Sequence, residues 1–558
     1  MKKFLVYFLA IILTASLFAS GGQQAVSGAA SQTSGAYSSM VTEPGKFPVV
    51  TQPVTLKVFA HQPTAIENFE TNTFTKFYEQ KSGVKLVWQV APSASLIELR
   101  RLSIASGDLP DFYINTGFTR DDEVLYGKEK VFIPLNNLVD QYGLHIKDMF
   151  KDIPESRSFI VTPDGNIYGL PQVTDGVHAL FNSKLYVNTA WMKTLNLKTP
   201  NTINEYTEVL RAFKSRDPNG NGKADELPLI GYQPPASTEA NPIILFFANS
   251  YIHMDPNGFN VSRDNKVDVA YNKPEFRQAL TYLNSLVTEG LLDPSSFSMT
   301  QAQMRQIAED PSAMRLGTTV MQAPSTIYAM TSQRQRDLDA IPPLAGPAGV
   351  RLGAYHPTAQ INIGQLNITS ACKYPEVVIR WDDWFFSLEG LLTMRIGREN
   401  IEWAWAKPGE LSYTGVPAKW VNIGSQGGST NEFWMQYSVA SYNRHSLQRG
   451  ASQAEYYGPE GLNTRLYDYT KNFYMPYKPA NHLPPMYFEA NVLEPIVQPL
   501  NDIISYRNQM WARFITGDLT LNDANWNSYV NTLNQMGVAN VIKAYQTTYD
   551  TFLKNTGK

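Results

Sequence analysis

Cysteine is almost absent from this 558-residue sequence, because Cys372 is the only one. A single thiol cannot form an intramolecular disulfide or a thiolate metal site. The seven histidines are scattered along the chain, and none forms the helical pair that is typical of a zinc site. The sequence also contains no nucleophile elbow, Walker loop or dinucleotide fingerprint. The lack of a catalytic motif favours a binding protein over an enzyme.

The sequence also lacks an excess of charge of either sign. Lys and Arg total 47 and Asp and Glu total 50, which leaves a formal net charge of −3. This balance creates no field that would attract nucleic acid, so we expect no nucleic-acid partner. The acidic neighbours Asp121–Glu123 and Asp382–Asp383 could supply the carboxyl pair of a glycosidase. A solvated surface explains them more simply.

Long apolar runs are missing except at the amino terminus. Met1-Lys-Lys precedes the apolar segment Phe4–Leu13, which is too short to cross a bilayer. This pattern is typical of a secretory signal peptide over residues 1–19. Ser20 stands where a lipoprotein carries its acylated cysteine, so we expect a periplasmic or extracellular protein without a lipid anchor. Residues 20–49 begin with a stretch rich in Ser, Gly, Gln and Ala, and we expect a flexible linker there.

Aromatic residues, by contrast, are abundant: the sequence has 30 Tyr, 27 Phe and 10 Trp. Large hydrophobic cores account for most of them, and some remain for a ligand surface. The roughly 510 residues after the linker are enough for more than one domain.

Alternating apolar residues predict strands at Val54–Ala60, Val84–Val90 and Asp111–Asn115, with a helix after each of the first two. This order is typical of a mostly parallel α/β sheet with helices on its faces. Such sheets hold ligands beyond the carboxyl ends of their strands. The side chains at those ends are His61, Gln62, Asn115, Thr116 and Phe118.

Later segments are mostly helical. Apolar spacing predicts helices at 188–195, 202–215 and 274–289, a long helix from Pro375, and further helices near the carboxyl terminus. The carboxyl-terminal part is therefore expected to be rich in helix.

The segment Asp217–Glu226 has the spacing of a calcium loop, with Gly222 at the position where such loops turn sharply. Pro228 replaces the usual bidentate Glu at position 12, so Glu226 would have to serve instead. Since the same residues also favour a solvated turn, that alternative stays open. The candidate ligands of a structural Ca²⁺ are Asp217, Asn219, Asn221, the carbonyl of Lys223, Asp225 and Glu226.

Several short motifs recur in a characteristic order. They are Leu102–Asp111, Tyr168–Pro171, Asp217–Pro228, Glu289–Pro294, Pro342–Pro347, Lys373–Glu376 and Phe514–Gly517. Together they resemble the extracellular solute-binding proteins (family 1) of bacterial carbohydrate ABC importers. The large subgroup that includes alginate-oligosaccharide-binding proteins is the most similar, and its members carry a comparable calcium loop.

The resemblance implies a two-lobed periplasmic-binding-protein fold of the type II kind, which clasps its ligand between the lobes. Closure would then present a surface to the permease subunits in the membrane. By this analogy the amino-terminal lobe comprises residues 50–170 and 340–400. The carboxyl-terminal lobe comprises 171–339 and 401–558. We expect a monomer.

A sugar receptor needs aromatic platforms and side chains that donate and accept hydrogen bonds. Gln172 follows the Gly-Leu-Pro segment near the first crossing between the lobes, and Trp403, Trp405 and Trp434 lie near or beyond the last. Relatives have a Gly-rich segment where this chain has Ile396–Asn400 and the Trp pair. The identity of the sugar therefore cannot be transferred.

The sequence thus predicts a non-catalytic oligosaccharide receptor. A secreted carbohydrate-active enzyme is the main alternative and would need convergent acids in the cleft. A structural or adhesive surface protein is the third possibility and would need an anchor or repeats.

Overall fold

The computed structural model describes residues 39–63, 66–234, 239–329, 332–424, 431–434, 439–444, 448–450, 456–457 and 461–556. The predicted signal peptide (1–19) lies outside these ranges, and so does the predicted linker as far as residue 38. The end of that linker belongs to the folded protein. Val49 is fully buried, and Arg380 Nη2 donates to the carbonyl oxygens of Glu43 and Lys46, at 2.9 Å each.

The strands build two main sheets and two short pairs. The larger sheet has the order β14-β4-β11-β3-β1-β2, the smaller one has the order β10-β5-β9-β6, and the pairs are β12-β13 and β7-β8. The strands are β1 (Val54–Gln62), β2 (Val84–Pro92), β3 (Phe112–Ile114), β4 (Leu170–Thr174), β5 (Lys184–Asn188), β6 (Leu227–Leu229), β7 (Phe259–Val261), β8 (Val267–Val269), β9 (Leu316–Met321), β10 (Leu338–Ala340), β11 (Ile361–Ile368), β12 (Trp403–Trp405), β13 (Trp420–Asn422) and β14 (Ser441–Asn443).

Helices cover the sheets and dominate the carboxyl-terminal part, as the sequence predicts. They are α1 (Thr73–Ser82), α2 (Leu96–Ser106), α3 (Arg120–Lys128), α4 (Asn136–Tyr142), α5 (Leu144–Asp152), α6 (Glu155–Ser158), α7 (Thr189–Thr194), α8 (Ile203–Ser215), α9 (Pro242–Ala248), α10 (Pro274–Thr288), α11 (Gln301–Ala308), α12 (Pro375–Asp382), α13 (Leu388–Arg395), α14 (Leu462–Tyr469), α15 (Ala490–Leu493), α16 (Val497–Thr516), α17 (Asp523–Gln535) and α18 (Val538–Thr556).

The amino-terminal half of the larger sheet forms as predicted. β1 lies parallel to both β2 and β3, so the chain must return to the starting edge twice, and α1 and α2 make these crossovers. Each helix ends at a glycine, Gly83 or Gly107, with φ near 74°. This left-handed conformation favours glycine and ends the helix sharply. The carboxyl ends of β1, β2 and β3 therefore meet at one edge of the sheet.

Both sheets are mixed. Three of the five strand pairings in the larger sheet are parallel, as predicted, whereas two of the three in the smaller sheet are antiparallel, which corrects the prediction there. β11 is antiparallel to β3 and β4, and β5 is antiparallel to β10 and β9. The connectivity explains this arrangement. β5 and β11 each begin directly after the chain has crossed from the other sheet. They therefore start at the edge where their neighbours end.

The chain passes between the two sheets three times, through residues 175–183, through residues 341–360, and between Asn443 at the end of β14 and Leu462 at the start of α14. The first two crossings touch, since the His356 N–H donates to the Leu180 carbonyl at 2.8 Å. β14 lies within 401–558, which we assigned to the carboxyl-terminal lobe, yet it pairs with β4 of the larger sheet. The lobe boundaries as a whole stay a prediction.

Each main sheet has its own hydrophobic core. The core of the larger sheet includes Trp381 and Phe385, and the core of the smaller sheet includes Phe276 and Trp511. The predicted apolar face of α10 is buried in the second core. The long helix predicted from Pro375 is two helices, because a 3-10 turn follows α12 and the Ser387 hydroxyl then caps a new helix.

Candidate ligand-binding site

The end of β1 lies at the carboxyl edge of the larger sheet and carries two of the predicted ligand residues. His61 Nε2 is 2.9 Å from Ser93 Oγ, and Gln62 Nε2 donates to the Glu67 carbonyl at 2.8 Å. Both side chains are partly exposed. Burial lowers the pKa of His61, so a neutral ring is favoured near pH 7.

The loop after β3 has a constrained backbone at the same edge. Asn115 has a φ of 51°, and its N–H donates to the Gln365 carbonyl at 2.9 Å. Thr116 is fully buried, and its carbonyl accepts from Arg100 Nη1 at 2.8 Å. The Thr116 hydroxyl has no hydrogen-bond partner within the described part of the chain. A buried hydroxyl without a partner costs free energy, which a bound polar group can recover.

Two amide side chains on the neighbouring strands each have one unpaired atom, while Gln365 Nε2 donates to the Ile363 carbonyl at 2.7 Å. Gln172 lies on β4, and Gln365 lies on β11 beside a bulge at Gly364, where φ is 62°. A Cβ at this glycine would come within 2.5 Å of the Phe118 carbonyl oxygen, so only glycine fits. Gln172 Nε2 and Gln365 Oε1 are both buried and lack partners among the residues that the structure describes.

We call Thr116, Gln172 and Gln365 the polar edge. These residues come from the end of β3 and from the adjacent strands β4 and β11. They offer a hydroxyl, an amide donor and an amide acceptor, and none of them carries a charge. The sequence predicted Thr116 and Gln172. It missed Gln365 because the alternation in Gln360–Leu366 indicated a strand but did not reveal which polar side chains would be buried.

Phe118 is a core residue, contrary to the prediction that it contacts the ligand. Its side chain is 3% exposed, and its ring packs edge-on against Tyr113 and Phe132 at centroid distances of 5.2 and 4.9 Å. The Arg100 guanidinium covers it at 4.2 Å from the ring centroid. No face of Phe118 remains for a sugar.

Trp403 and Trp434 also belong to the core. Their exposed fractions are 0% and 1%. The Trp403 indole N–H donates to the Gly397 carbonyl at 2.8 Å, and that of Trp434 donates to Thr75 Oγ1 at 2.9 Å. With their polar atoms paired and their faces covered, these two rings have no surface that could serve as a platform.

Trp405 has the exposed surface that a platform needs. Its side chain is 45% exposed, and it stands nearly perpendicular to Trp403, at a centroid distance of 5.2 Å and an angle of 87°. The pairing of β12 with β13 places Trp420 opposite it. The buried Trp403 and Trp420 therefore anchor an indole that faces solvent.

A group of tyrosines near the first and third crossings was not singled out from the sequence. Tyr413 packs edge-on against Tyr467, with centroids 6.0 Å apart. Burial, followed by the charge of Asp175, raises the pKa of Tyr413. The Asp175 N–H donates to the Asn443 carbonyl at 3.3 Å, which places these rings beside the third crossing. The sequence indicated only an aromatic region here, because no periodic pattern distinguishes one tyrosine from another.

Of the two acidic groups considered for a glycosidase, Asp382–Asp383 is buried, contrary to the simpler interpretation, whereas Asp121 is exposed and Asp122 is partly exposed, in agreement with it. Asp382 and Asp383 are each 1% exposed, and burial raises the pKa of both. Asp383 Oδ1 accepts the N–H groups of His145 and Ile146 at 2.8 and 2.9 Å. Glu123 is equally buried. Carboxyl groups enclosed in this way leave no room for a sugar and an attacking water between them.

The predicted calcium loop forms a tight turn that is held by its own side chains. Asp217 Oδ2 accepts the Gly222 N–H at 2.9 Å. Asn219 Nδ2 and Asn221 Nδ2 both donate to Asp225 Oδ1 at 3.1 Å. The amide groups of Asn221 and Asn219 lower the pKa of Asp225. Four of the five predicted ligand side chains are thus within hydrogen-bond reach of one another or of the loop backbone.

The remaining oxygen atoms of this loop are of the kind that coordinates a hard cation. Glu226 Oε1 is buried without a partner in the described ranges, and burial raises the pKa of its carboxyl group. A cation would supply the missing partner for this oxygen. Carboxylate, amide and carbonyl oxygens are the ligands that Ca²⁺ prefers. Among the described residues, no group of three or more His, Cys, Asp and Glu side chains is placed to hold a metal. The candidate ligands in this loop also include Asn amides and the Lys223 carbonyl, which are not among those four types of side chain.

Comparison with protein families decides the classification. Residues 61–390, more than half of the chain, match the model of the bacterial extracellular solute-binding proteins. The chain belongs to that family.

A curated relative of this solute-binding protein is the fructooligosaccharide ABC transporter substrate-binding protein FusA of Streptococcus pneumoniae. It is 26% identical over 496 residues, which cover 86% of each chain. The structure of FusA with kestose has a TM-score of 0.68 at 24% identity and covers 90% of this chain and all of FusA. A second FusA structure, of an EF-hand mutant with fructo-nystose, has a TM-score of 0.67 at 23% identity.

Two other solved structures share the fold. An HMO-binding solute-binding protein from Bifidobacterium longum infantis has a TM-score of 0.75 at 17% identity, covering 90% of this chain and 99% of that protein. The alginate-binding protein AlgQ2 without calcium ion has a TM-score of 0.63 at 23% identity, covering 91% and 100%. These neighbours are two-lobed solute-binding proteins, which confirms the predicted fold class.

The family and the named relatives of this solute-binding protein are binding proteins rather than enzymes. None of the helices in the described ranges is both long enough and apolar enough to cross a membrane.

Proposed function

We propose that this solute-binding protein binds an oligosaccharide and delivers it to the permease of a carbohydrate ABC importer. Its relatives bind fructooligosaccharide, HMO and alginate, which supports a sugar ligand. The observation that carries the proposal is the polar edge. It combines three buried and unpaired atoms of uncharged side chains at the sheet edge where α/β proteins hold their ligands.

Sugar chemistry fits this arrangement. Each hydroxyl of a sugar both donates and accepts, so it can pair with Gln172 Nε2, Gln365 Oε1 and Thr116 Oγ1 once movement of the lobes brings these buried atoms to the surface of the cleft. The apolar C–H face of a sugar ring packs on an exposed aromatic side chain, and Trp405 offers one. His61, Gln62 and Asn115 complete the proposed site. Trp403, Trp434 and Phe118 are not carried forward, since their side chains are covered by protein.

A thermal-shift screen tests this proposal. The chain from residue 20 onward is heated alone and with kestose, a milk oligosaccharide or an alginate oligosaccharide. A ligand that binds the folded state raises the Tm, because at a concentration 100 times its Kd it adds about 2.7 kcal/mol to the free energy of unfolding. We expect one class to raise the Tm and to be recovered chemically intact, as from a receptor rather than an enzyme. No shift with any class, or cleavage of the sugar, would contradict the proposal.

We also propose a structural Ca²⁺ at Asp217, Asn219, Asn221, the Lys223 carbonyl, Asp225 and Glu226. The mutual contacts of these side chains and the unpaired Glu226 oxygen support it, as does the EF-hand of FusA. Calcium would fix the turn between α8 and β6.

Removal of the metal tests the site. EDTA should lower the Tm of the wild-type protein, and added Ca²⁺ should restore it. Asp217→Ala should lower the Tm by itself and make it insensitive to both reagents. Asp264→Ala, in another exposed turn that begins with Ser262, is the matched control and should keep the response to EDTA. If a metal-free preparation had the same Tm as the Ca²⁺-loaded protein, the segment Asp217–Glu226 would be only a turn and not a calcium site.

The export of the protein is part of the same proposal. The mature chain would begin near Ser20, without a lipid anchor, and act as a monomer with lobes near residues 50–170 plus 340–400 and 171–339 plus 401–558. Intact-mass measurement of the exported protein and light scattering check these points. A lipid-modified or uncleaved amino terminus would contradict the first, and a stable dimer would contradict the second.

A further inference from the structure

A second cavity of the molecule lies between α6 and α18, and we call it the α6–α18 cavity. Its volume is about 460 Å³, which is in the range of small-molecule sites. One wall is formed by residues within 154–163, in and around α6, and the other by residues 485–487 and the end of α18. None of the three polar-edge residues is among the described residues that line it. It is therefore a separate site from the polar edge.

Hydroxyl groups make up most of the polar lining, and each of them donates its hydrogen to the protein. The six hydroxyls and their acceptors are Ser158 (Glu155 carbonyl), Thr162 (Asp164 Oδ1), Tyr487 (Glu123 Oε2), Thr548 (Ala544 carbonyl), Thr551 (Thr547 carbonyl) and Thr556 (Phe552 carbonyl). A hydroxyl has one hydrogen and two lone pairs. With their hydrogens used in this way, the six groups can only accept hydrogen bonds from a ligand.

Hydrogen-bond donors are scarce in the lining. Arg157 and Asn555 are the only described lining residues whose side chains carry N–H groups. Arg157 Nη1 lies 3.3 Å from Asp140 Oδ1, and its guanidinium lies 5.4 Å from the centroid of the Phe150 ring, so its charge is paired with an acid that does not line the cavity. Glu155, which is exposed, adds a carboxylate with acceptor oxygens only. The cavity thus combines many acceptors with a negative charge at its surface.

The rest of the lining is apolar. Met486 is buried, Phe552 is half-buried, and Pro163 and Pro485 contribute rings without an N–H group. Such surface packs against the methylene or C–H groups of a ligand. A suitable ligand therefore has an apolar carbon skeleton and groups that donate hydrogen bonds without needing donors in return.

We propose that the α6–α18 cavity binds a small protonated amine. An ammonium group donates three hydrogen bonds and accepts none, which complements a lining of acceptors. A neutral sugar fits less well, because each of its hydroxyl oxygens also needs a donor. An aliphatic polyamine and an amino sugar share the required chemistry, and the experiment separates them. The proposal does not rest on the proposed function, since it concerns a different site.

Calorimetric titration of the chain from residue 20 onward tests the site with four compounds. Spermidine represents the polyamines and glucosamine the amino sugars, while hexane-1,6-diol and glucose are comparable compounds without an amine. We expect one amine to bind at a single site, and the corresponding neutral compound to bind at least about tenfold more weakly, because hydrogen bonds to a charged group are the stronger ones. No binding of either amine, or equal binding of the neutral compound, would overturn the proposal.

A matched pair of variants on α18 separates the cavity from general attraction of cations. Thr551→Val keeps the shape of the side chain, removes one acceptor and should weaken amine binding about tenfold. Thr547→Val is the control: its hydroxyl also bonds to a carbonyl one turn earlier, that of Lys543, at 2.9 Å, but the residue is exposed and is not among the described lining residues. Its affinity for the amine should equal that of the wild type.

A third variant tests the opposite wall. Ser158→Ala should also weaken amine binding, and it decides the question if Thr551→Val does not fold. Thr551 and Ser158 are the positions to change because Glu155 and Phe552 also line a neighbouring cavity of about 550 Å³. Wild-type affinity in both Thr551→Val and Ser158→Ala would contradict the proposal. Gln172→Met, at the polar edge, should bind the amine normally, so a failure of sugar binding and a failure of amine binding are separate results.

Discussion

The facing edges of the two sheets differ in how their polar groups are paired. At the smaller sheet, Lys184 Nζ donates to the carbonyls of His178 and Phe181. The Tyr474 hydroxyl accepts the Leu185 N–H and donates to the Ile341 carbonyl, and both of these bonds are 2.9 Å long. At the larger sheet, three atoms of the polar edge are unpaired in the described chain, and at the smaller sheet Asn182 Oδ1 before β5 and Thr319 Oγ1 on β9 are unpaired beside these bonded groups. A paired group stabilises the fold, whereas an unpaired one is ready for an external partner.

The strand pair β12–β13 repeats this contrast on a smaller scale. Trp403 is enclosed and its N–H is bonded, while Trp405, two residues later, is 45% exposed. Identical side chains on one strand thus have different roles, because one lies over α13 and the other lies beyond it. The following variants test the contrast between paired and unpaired groups, from the largest expected effect to the smallest.

Trp403→Ala should have the largest effect on stability. Truncating a fully buried Trp leaves a cavity and should lower the free energy of unfolding by about 3–5 kcal/mol. Trp405→Ala is the matched control and should cost less than about 1 kcal/mol, yet weaken sugar binding. Urea unfolding and calorimetric titration measure the two quantities. The assignment of Trp403 to the core would be wrong if its loss reduced affinity and left stability intact.

Tyr474→Phe tests the paired groups of the smaller sheet. Removal of the hydroxyl leaves a buried N–H and a buried carbonyl without a partner, and should cost about 2–4 kcal/mol of unfolding free energy. Sugar affinity should remain unchanged. For comparison, Tyr456→Phe removes a hydroxyl from a more exposed ring and should cost under about 1 kcal/mol. Equal effects of the two variants would contradict the structural role of Tyr474.

Asn115 allows backbone strain to be separated from binding. Because its φ is 51°, Asn115→Ala should destabilise the protein by about 1 kcal/mol relative to Asn115→Gly. Both variants lack the amide and should lose affinity to the same extent. A difference in affinity between the two variants would show that the backbone conformation at residue 115, rather than the amide side chain, contributes to binding.

Local patterns predicted the elements that depend on local sequence. The spacing of apolar residues placed β1, β2 and α10 to within two residues. The directions of β5 and β11 were not predictable in this way, because they depend on where the chain crosses between the sheets. The interruption after α12 depends on the cap at Ser387, which a continuous apolar face conceals.

The candidate site was predictable in its position but not in its details. The rule for strand ends identified Thr116 and Asn115, and the resemblance added Gln172. Burial in the structure excludes Phe118 and Trp434 from the candidate site and identifies Gln365, which has an unpaired buried oxygen, as a further member of it. A sequence shows which residues are aromatic or polar, whereas long-range packing determines whether a ring faces solvent and whether an amide finds a partner.

The central claim is that an oligosaccharide satisfies the unpaired polar edge, and Gln172→Met tests it most directly. Met has a similar length and no polar atoms, so the change removes the unpaired amide without opening a cavity. In calorimetric titrations with the sugar that raises the Tm most, we expect affinity to fall by about 1–2 kcal/mol, the cost of a lost hydrogen bond. The Tm of the free protein should stay the same or rise. Unchanged affinity, or a destabilised free protein with normal binding, would contradict the claim.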